Sequence, residues 1–229
     1  MLARNVMFVL AALGVTLAAT TAHAESIADH QAHIEASLGA RVSAVSDAGY
    51  DPFANSDELA QVSLGLGGTL FAAERFSLAA YGFWDYGARS GNARGAQTSL
   101  TVQRLSIGPE ARYHLLPRLY VFAHVLPAFA HSAASLDDGV AAATREARHW
   151  AYGFDGAGGA AFEMYGSQGG RVRPRLWLIA EGGYGYLGST RLLLKAGASS
   201  GAPERTASVD LGSLSLAGPY ARLSVAVAF

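Results

Sequence analysis

The sequence predicts an all-β chain whose strands close into an antiparallel up-and-down transmembrane β-barrel of eight strands, with a ninth and tenth as an alternative. Three observations predict it. Apolar and polar residues alternate with a period of two in segment after segment, the connections alternate between long and short, and aromatic residues collect at both ends of the segments. Composition agrees: of 229 residues 51% are hydrophobic and only 15% charged, whereas a soluble domain carries roughly 25% charged residues. No internal apolar run approaches the ~20 residues of a membrane helix. The absence of Cys removes disulfides, thiolate metal sites and Cys nucleophiles, and a net charge of −1 argues against a nucleic-acid partner.

Taken in order, the chain opens with Arg4, an apolar stretch over 6–19 and the small-x-small site Ala22-His23-Ala24. Residues 1–24 read as a cleavable secretory signal and 25–229 as the barrel. The first strand, 31–44, sets Ile34, Ala36, Leu38, Ala40 and Val42 against Glu35, Ser37, Arg41 and Ser43. In 60–72, Val62, Leu64 and Leu66 oppose Gln61, Ser63, Gly65 and Gly67. Leu105, Ile107, Tyr113 and Leu115 oppose Ser106, Glu110, Arg112 and His114. Trp150, Tyr152, Phe154 and Phe162 oppose Asp155, Glu163 and Tyr165; Leu176, Leu178, Tyr184 and Tyr186 oppose Arg175, Trp177 and Glu181. Leu223, Val225, Val227 and Phe229 oppose Arg222 and Ser224. Segments 76–87 and 119–131 are strand-like with two apolar faces and bring the count to eight.

The predicted connections are 45–59, 73–75, 88–97, 116–118, 132–149, 166–174 and 188–213, long and short in turn. The 188–213 loop is read as a protruding hairpin in preference to two more wall strands. Pro109 and Pro127, and apparent slips of parity near Gln103-Arg104 and Gly218-Pro219, call for β-bulges at those points. A soluble sandwich alternates too, so the wet face decides. Strands of 12 residues or more suit a tilted bilayer crossing. Trp84, Tyr86, Trp150, Tyr152, Tyr184 and Tyr186 fall at the long-loop ends, and Phe76, Tyr113, Leu115 and Phe229 at the short-turn ends, as two belts at lipid–water boundaries. The polar face then points inward, where Glu35, Glu110, Asp155, Glu163 and Glu181 meet Arg41, Arg112, Arg175 and Arg222. Buried charges must pair, so this set is read as a plug that leaves no aqueous channel.

The alternating segments, the signal and the closing strand LAGPYARLSVAVAF, ending in Phe229, resemble the small outer-membrane β-barrel proteins of Gram-negative bacteria. That resemblance implies an outer-membrane location, contact with outer-membrane lipid and lipopolysaccharide, and Phe229 as the signal to the barrel-insertion machinery. It also implies a monomer with short periplasmic turns and four extracellular loops of unknown partner. The expected function is non-enzymatic, structural or interactive. A deacylase-type lipid A hydrolase using His131-Ser132 and a narrow porin are the alternatives. No cofactor and no metal site is expected: His30 and His33 would point to opposite faces of a strand, and Asp137-Asp138 and the acids of 51–58 read as solvated loops. The glycines of LGLGG and GAGGAA read as room made on the wall for large lumen neighbours, not as phosphate loops.

Overall fold

The computed structural model describes residues 34–93, 95–137, 144–166, 174–196 and 208–229. The expected signal over 1–24, His30, His33 and Asp138 lie outside them. The strands are β1 (Ile34–Ala44), β2 (Glu58–Ala73), β3 (Phe76–Ala93), β4 (Ala96–Leu116), β5 (Leu119–Asp137), β6 (Arg145–Gly166), β7 (Arg175–Leu187), β8 (Thr190–Ala196), β9 (Val209–Leu214) and β10 (Gly218–Ala228). β1 to β7 pair in sequence, β7 pairs with β10, and β10 returns to β1, so eight antiparallel strands form a closed ring without a free edge. β8 and β9 stand outside the ring as a hairpin of their own; β8 touches the wall through Arg145↔Ala196 and Glu146↔Lys195. Among the described residues no helix is long and apolar enough to cross a membrane.

The wall is inside-out relative to a soluble sheet. Leu38, Leu64, Leu66, Ile107, Val125 and Leu223 are exposed, while Glu35, Arg41, Glu110, Asp155, Glu181 and Arg222 are buried. Both aromatic belts lie on the exposed face: Trp84, Tyr86, Trp150, Tyr152, Tyr184 and Tyr186 at one level, Phe76, Tyr113, Tyr165 and Phe229 at the other. From Phe76 to Tyr86 the chain rises about 33 Å, or about 25 Å along the normal at a tilt of ~40°, the height of a lipid-facing band.

Three sequence expectations are corrected. The loops 88–97 and 132–149 are largely strand: β3 and β4 run on to Ala93 and Ala96, and β5 and β6 to Asp137 and Arg145, so these hairpins continue roughly 20 Å along the strand past the aromatic belt. Gly95, at φ +86°, completes the sharp tip between β3 and β4. The bulges lie at Thr69/Phe71, His114/Leu116, Glu163/Tyr165 and Arg191/Leu193, not at Gln103-Arg104 or Gly218-Pro219, where the register is unbroken. Near Pro109 and Pro127 the β4–β5 pairing lapses between Ser106↔Ala128 and Glu110↔His124 and resumes in the same register, as two missing donors require. The bulge after Glu163 also turns Tyr165 outward, against its predicted inward parity.

The apparent slip at Gln103-Arg104 has a different origin. Beyond the aromatic belt the interior changes from charged to apolar, so inward Leu100 and Val102 share parity with inward Arg104. They join Ala134, Leu136 and Ala147 of the wall, Val45, Tyr50, Phe53 and Leu59 of the β1–β2 segment, and Leu192, Leu194 and Leu214 of the hairpin in one buried cluster. This cap is tied by Tyr50 Oη donating to the Glu58 carbonyl (3.0 Å), Thr98 Oγ1 to the Pro52 carbonyl (2.5 Å) and the Ser215 amide to Asp47 Oδ2 (3.1 Å). Burial raises the Tyr50 phenol above its usual pKa, with Arg89 opposing.

On the hairpin, Arg191 donates to Asp210 Oδ2 at 3.0 and 2.5 Å and the Gly212 amide donates to Asp210 Oδ1 at 3.0 Å. The Arg191 hydrogen bond first, then that of Gly212, holds the Asp210 carboxyl below its ordinary range. A depressed carboxylate contributes above its unfolded pKa and loses that contribution as the pH falls through the folded value. Amide protection at Gly212, corrected for intrinsic exchange, is therefore expected to hold from neutral pH down to about 4 and to fall in stronger acid. The Asp210→Asn variant is expected to lack that acid-dependent loss.

Candidate functional site

Inside the membrane-spanning part, alternation aims every second residue of each strand at a narrow axis, and the side chains there meet across the barrel. The contacts form one continuous chain of carboxylates, guanidinium groups and one imidazole. Arg112 bridges Glu35 (3.0 Å) and Glu110 (2.7 Å). Glu110 Oε2 meets His124 Nδ1 at 3.2 Å, and His124 Nε2 lies 3.7 Å from Glu181. Arg222 joins Glu181 (3.0 Å) to Asp85 (3.1 Å), and Arg41 joins Asp85 (3.0 Å) to Asp155 (3.1 Å). Arg104 ends the chain on Asp155, with Nε at 2.9 Å and Nη2 on the second oxygen.

Aromatic rings fill the space between the charges. The Arg41 guanidinium lies 3.8 Å over Tyr220 and that of Arg222 3.7 Å over Phe83. Tyr220 Oη donates to Glu181 (2.7 Å), and Tyr81 Oη reaches Glu35 and Ser37, each at 3.1 Å. Two lumen cavities lined by described residues are small, about 10 Å³ beside Glu110 and Glu181 and about 30 Å³ beside Arg112 and Trp177. Volumes of that order hold one or two waters.

Of the nine charged residues predicted for the lumen, seven lie in this chain: Glu35, Arg41, Glu110, Arg112, Asp155, Glu181 and Arg222. Glu163 and Arg175 lie 3.8 Å apart near the short-turn end. Sequence reasoning missed Asp85, Arg104 and His124. Asp85 and His124 sit in the two segments with apolar residues on both faces, and Arg104 at the misread slip; continuing the inward parity of Ser106, Glu110 and Arg112 by one step would have reached it. Phe229 closes the β1–β10 seam through its backbone, its amide donating to the Ile34 carbonyl (3.0 Å) while its ring is exposed on the outer face.

The wall glycines are spaced for these rings. A Cβ on Gly67 would come 2.2 Å from the Tyr81 ring, and one on Gly159 2.5 Å from that of Phe122. Gly67→Ala is accordingly expected to cost about 1–3 kcal/mol, by displacing Tyr81 from Glu35. Gly82→Ala, on the outer face with no atom nearer than 3.6 Å, is expected to be neutral, and reversible urea unfolding of the two variants checks both.

His131 and Ser132 do not form a dyad. His131 and Ser132 are adjacent on β5 and point to opposite faces: Ser132 is buried, while the His131 ring packs on exposed Trp150 at 5.0 Å. Among the described residues no three His, Asp or Glu side chains converge as a metal site.

The closed ring, with ionised groups within and an apolar band without, decides the architecture. The chain is a transmembrane β-barrel of the outer-membrane type. No family model matches the sequence, and no curated protein matches it. Solved structures similar to it include Ail, the attachment invasion locus protein of Yersinia pestis, in complex with the heparin analogue sucrose octasulfate. There the identity is 10% and the TM-score 0.48, over 86% of this chain and 99% of that one. Neisserial surface protein A is similar at 13% identity and TM-score 0.38, over 86% and 95% of the two chains. The transport unit of the autotransporter AIDA-I from Escherichia coli is similar at 12% and 0.37, over 97% and 96%.

Proposed function

We propose that this protein is a non-conducting, non-enzymatic barrel of a Gram-negative outer membrane, whose function is to hold a rigid extracellular cap at the cell surface for contact with lipid or protein partners. The supporting observation is that the interior is occupied at both levels: ion pairs and rings fill it within the membrane, and a second, apolar core fills it above. A pore needs a continuous polar path, and an enzyme needs a cleft with convergent reactive groups. A recognition surface needs a fixed backbone, which the extended β3–β6 sheet and the docked β8–β9 hairpin supply. The charged lumen serves as a plug, and Phe229 with Val227, Val225 and Leu223 serves as the insertion signal for assembly as a monomer.

In planar bilayers the purified protein is expected to give no discrete conductance steps, and with lipid A as substrate no released acyl chains. Reproducible openings would contradict the plug and favour the porin. Acyl release that disappears in Ser132→Ala would contradict the non-enzymatic reading.

A further inference from the structure

We infer that His124 is a proton-operated link between two halves of the lumen plug, which it joins while both its ring nitrogens carry protons and parts when one is lost. This rests on the plug reading above, which conductance tests separately. Glu35, Glu110 and Arg112 form the half nearer the short turns. Glu181, Arg222, Asp85, Arg41, Asp155 and Arg104 form the other. Among the described side chains the bridge between them is His124, with Nδ1 3.2 Å from Glu110 and Nε2 3.7 Å from Glu181. The upper half is formally neutral, with three carboxylates and three guanidinium groups. The lower has two carboxylates for one guanidinium, so a surplus negative charge lies next to the ring. An imidazolium supplies the one positive charge that balances the set, and a buried charge left unbalanced is costly.

Both ring nitrogens face acids. An imidazolium donates from each, whereas a neutral ring has a single N–H and presents a lone pair at its other nitrogen. With the proton on Nδ1, the nearer contact, the lone pair of Nε2 faces Glu181 Oε1. Nε2 makes no hydrogen bond, so the Glu181 side of the link is held by charge and lost with it. The ring is fully buried against Phe83 and Phe122, whose centroids each lie 6.0 Å away. The ionisable groups around it are engaged with one another. Arg112 of β4 holds Glu110 and, on β1, Glu35, and lies 5.0 Å over the ring of Tyr120 on β5. Arg222 and Tyr220 of β10 hold Glu181 of β7. On β3, Tyr81 reaches Glu35, and Asp85 lies between Arg222 and Arg41; on β6, Asp155 lies between Arg41 and Arg104, with Ala157 opposite His124. β2 brings no ionisable side chain into the lumen. The backbone gives the link added weight: Glu110↔His124 is the first rung of the β4–β5 ladder after the lapse at the two prolines. There the side-chain contact ties strands that the backbone, on one side of that rung, does not.

The link contributes stability while the ring is protonated and loses it as the pH rises through the ring's titration. The test sets that titration beside stability. Nitrogen NMR of histidine-labelled protein, with the His124 signal assigned by its absence from His124→Gln, reads the pH at which the ring loses its proton. Urea unfolding in vesicles over the same range is expected to find wild type more stable than His124→Gln on the acid side of that pH, by about tenfold in the unfolding equilibrium constant. On the alkaline side the two are expected to converge. Carboxylate titrations common to both proteins drop out of the difference. Glu110→Gln/His124→Gln, which removes the surplus carboxylate together with the ring, is expected to recover most of the loss and to show no such step. In wild type alone, amide protection over 110–112 and 122–124, corrected for intrinsic exchange, is expected to fall with the same midpoint, so the test survives a variant that folds poorly. A ring that titrates with no step in stability or protection would overturn the inference. So would a His124→Gln protein that keeps the step, or a His124 ring with a single protonated nitrogen at every pH at which the barrel is folded.

Discussion

Replacing Asp85 by leucine is expected to cost about 3–5 kcal/mol of folding free energy, the penalty for breaking a buried ion pair from one side. Asp85 is fully buried and is the junction between the two halves of the lumen chain, 3.0 Å from Arg41 and 3.1 Å from Arg222. Leucine would leave two guanidinium groups facing an apolar side chain, each with a single remaining carboxylate, Asp155 or Glu181. Asn at the same site keeps an acceptor and is expected to cost less. The double variant Arg41→Met/Asp85→Leu separates the loss of a partner from the worth of the pair. It leaves Arg222 on Glu181 and Arg104 on Asp155, so its cost is expected to fall well below the sum of the single variants. Reversible urea unfolding in phospholipid vesicles measures wild type, Arg41→Met, Asp85→Leu and the double variant, with Asp85→Asn beside them; strict additivity would show that these groups do not act as one network.

The second large effect is expected on the outside. Val125 lies on the exposed face of β5, midway between Phe129 at one belt and Val121 near the other end, and is 65% exposed. In a bilayer that exposure is to hydrocarbon. Val125→Arg is expected to destabilise the barrel by about 2–4 kcal/mol, the cost of arginine at the midplane of a lipid-facing wall, whereas Val125→Leu is expected to be neutral. Arginine at Ser99, on the same outward face but beyond the belt, is expected to leave barrel stability within about 0.5 kcal/mol. A Val125→Arg variant as stable as wild type would mean that this face meets water.

Where alternation was clean it carried both the strand and its orientation. In β1, β10 and β2 as far as Gly67 the inward and outward sets read from the sequence are those of the structure, because one face meets lipid and the other a charged axis; past the Thr69/Phe71 bulge Phe71 turns outward and Ala72 pairs with inward Ser77, against the predicted parity. The reading weakened where that contrast weakens. Tyr81 and Phe83 point into the lumen beside Asp85, so β3 shows rings on both faces and its one inward acid goes unnoticed. Leu100 and Val102 face an apolar cap core, and a rule that assigns charge to the inside misreads them as a shift of register. The extended hairpins were counted as loops for a related reason: once a strand leaves the membrane, small polar residues such as Ser90, Ser99 and Ser135 replace the outward apolar set. The β8–β9 hairpin was legible because 189–201 contains no aromatic belt residue, while its docking through Leu192, Leu194 and Leu214 against Phe53 depends on contacts remote in sequence.

The central claim is that apolar residues ring the outside of the cylinder and ionised ones fill its axis. Because the chain has no Cys, single cysteines can be placed for spin labels without background. Labels at Leu66, Ile107, Val125 and Leu223 in vesicles are expected to relax readily with oxygen and weakly with a water-soluble nickel chelate. Labels at Ser99 and Thr101 are expected to show the reverse. Ready relaxation by the nickel chelate at Leu66, Ile107, Val125 and Leu223 would contradict the account.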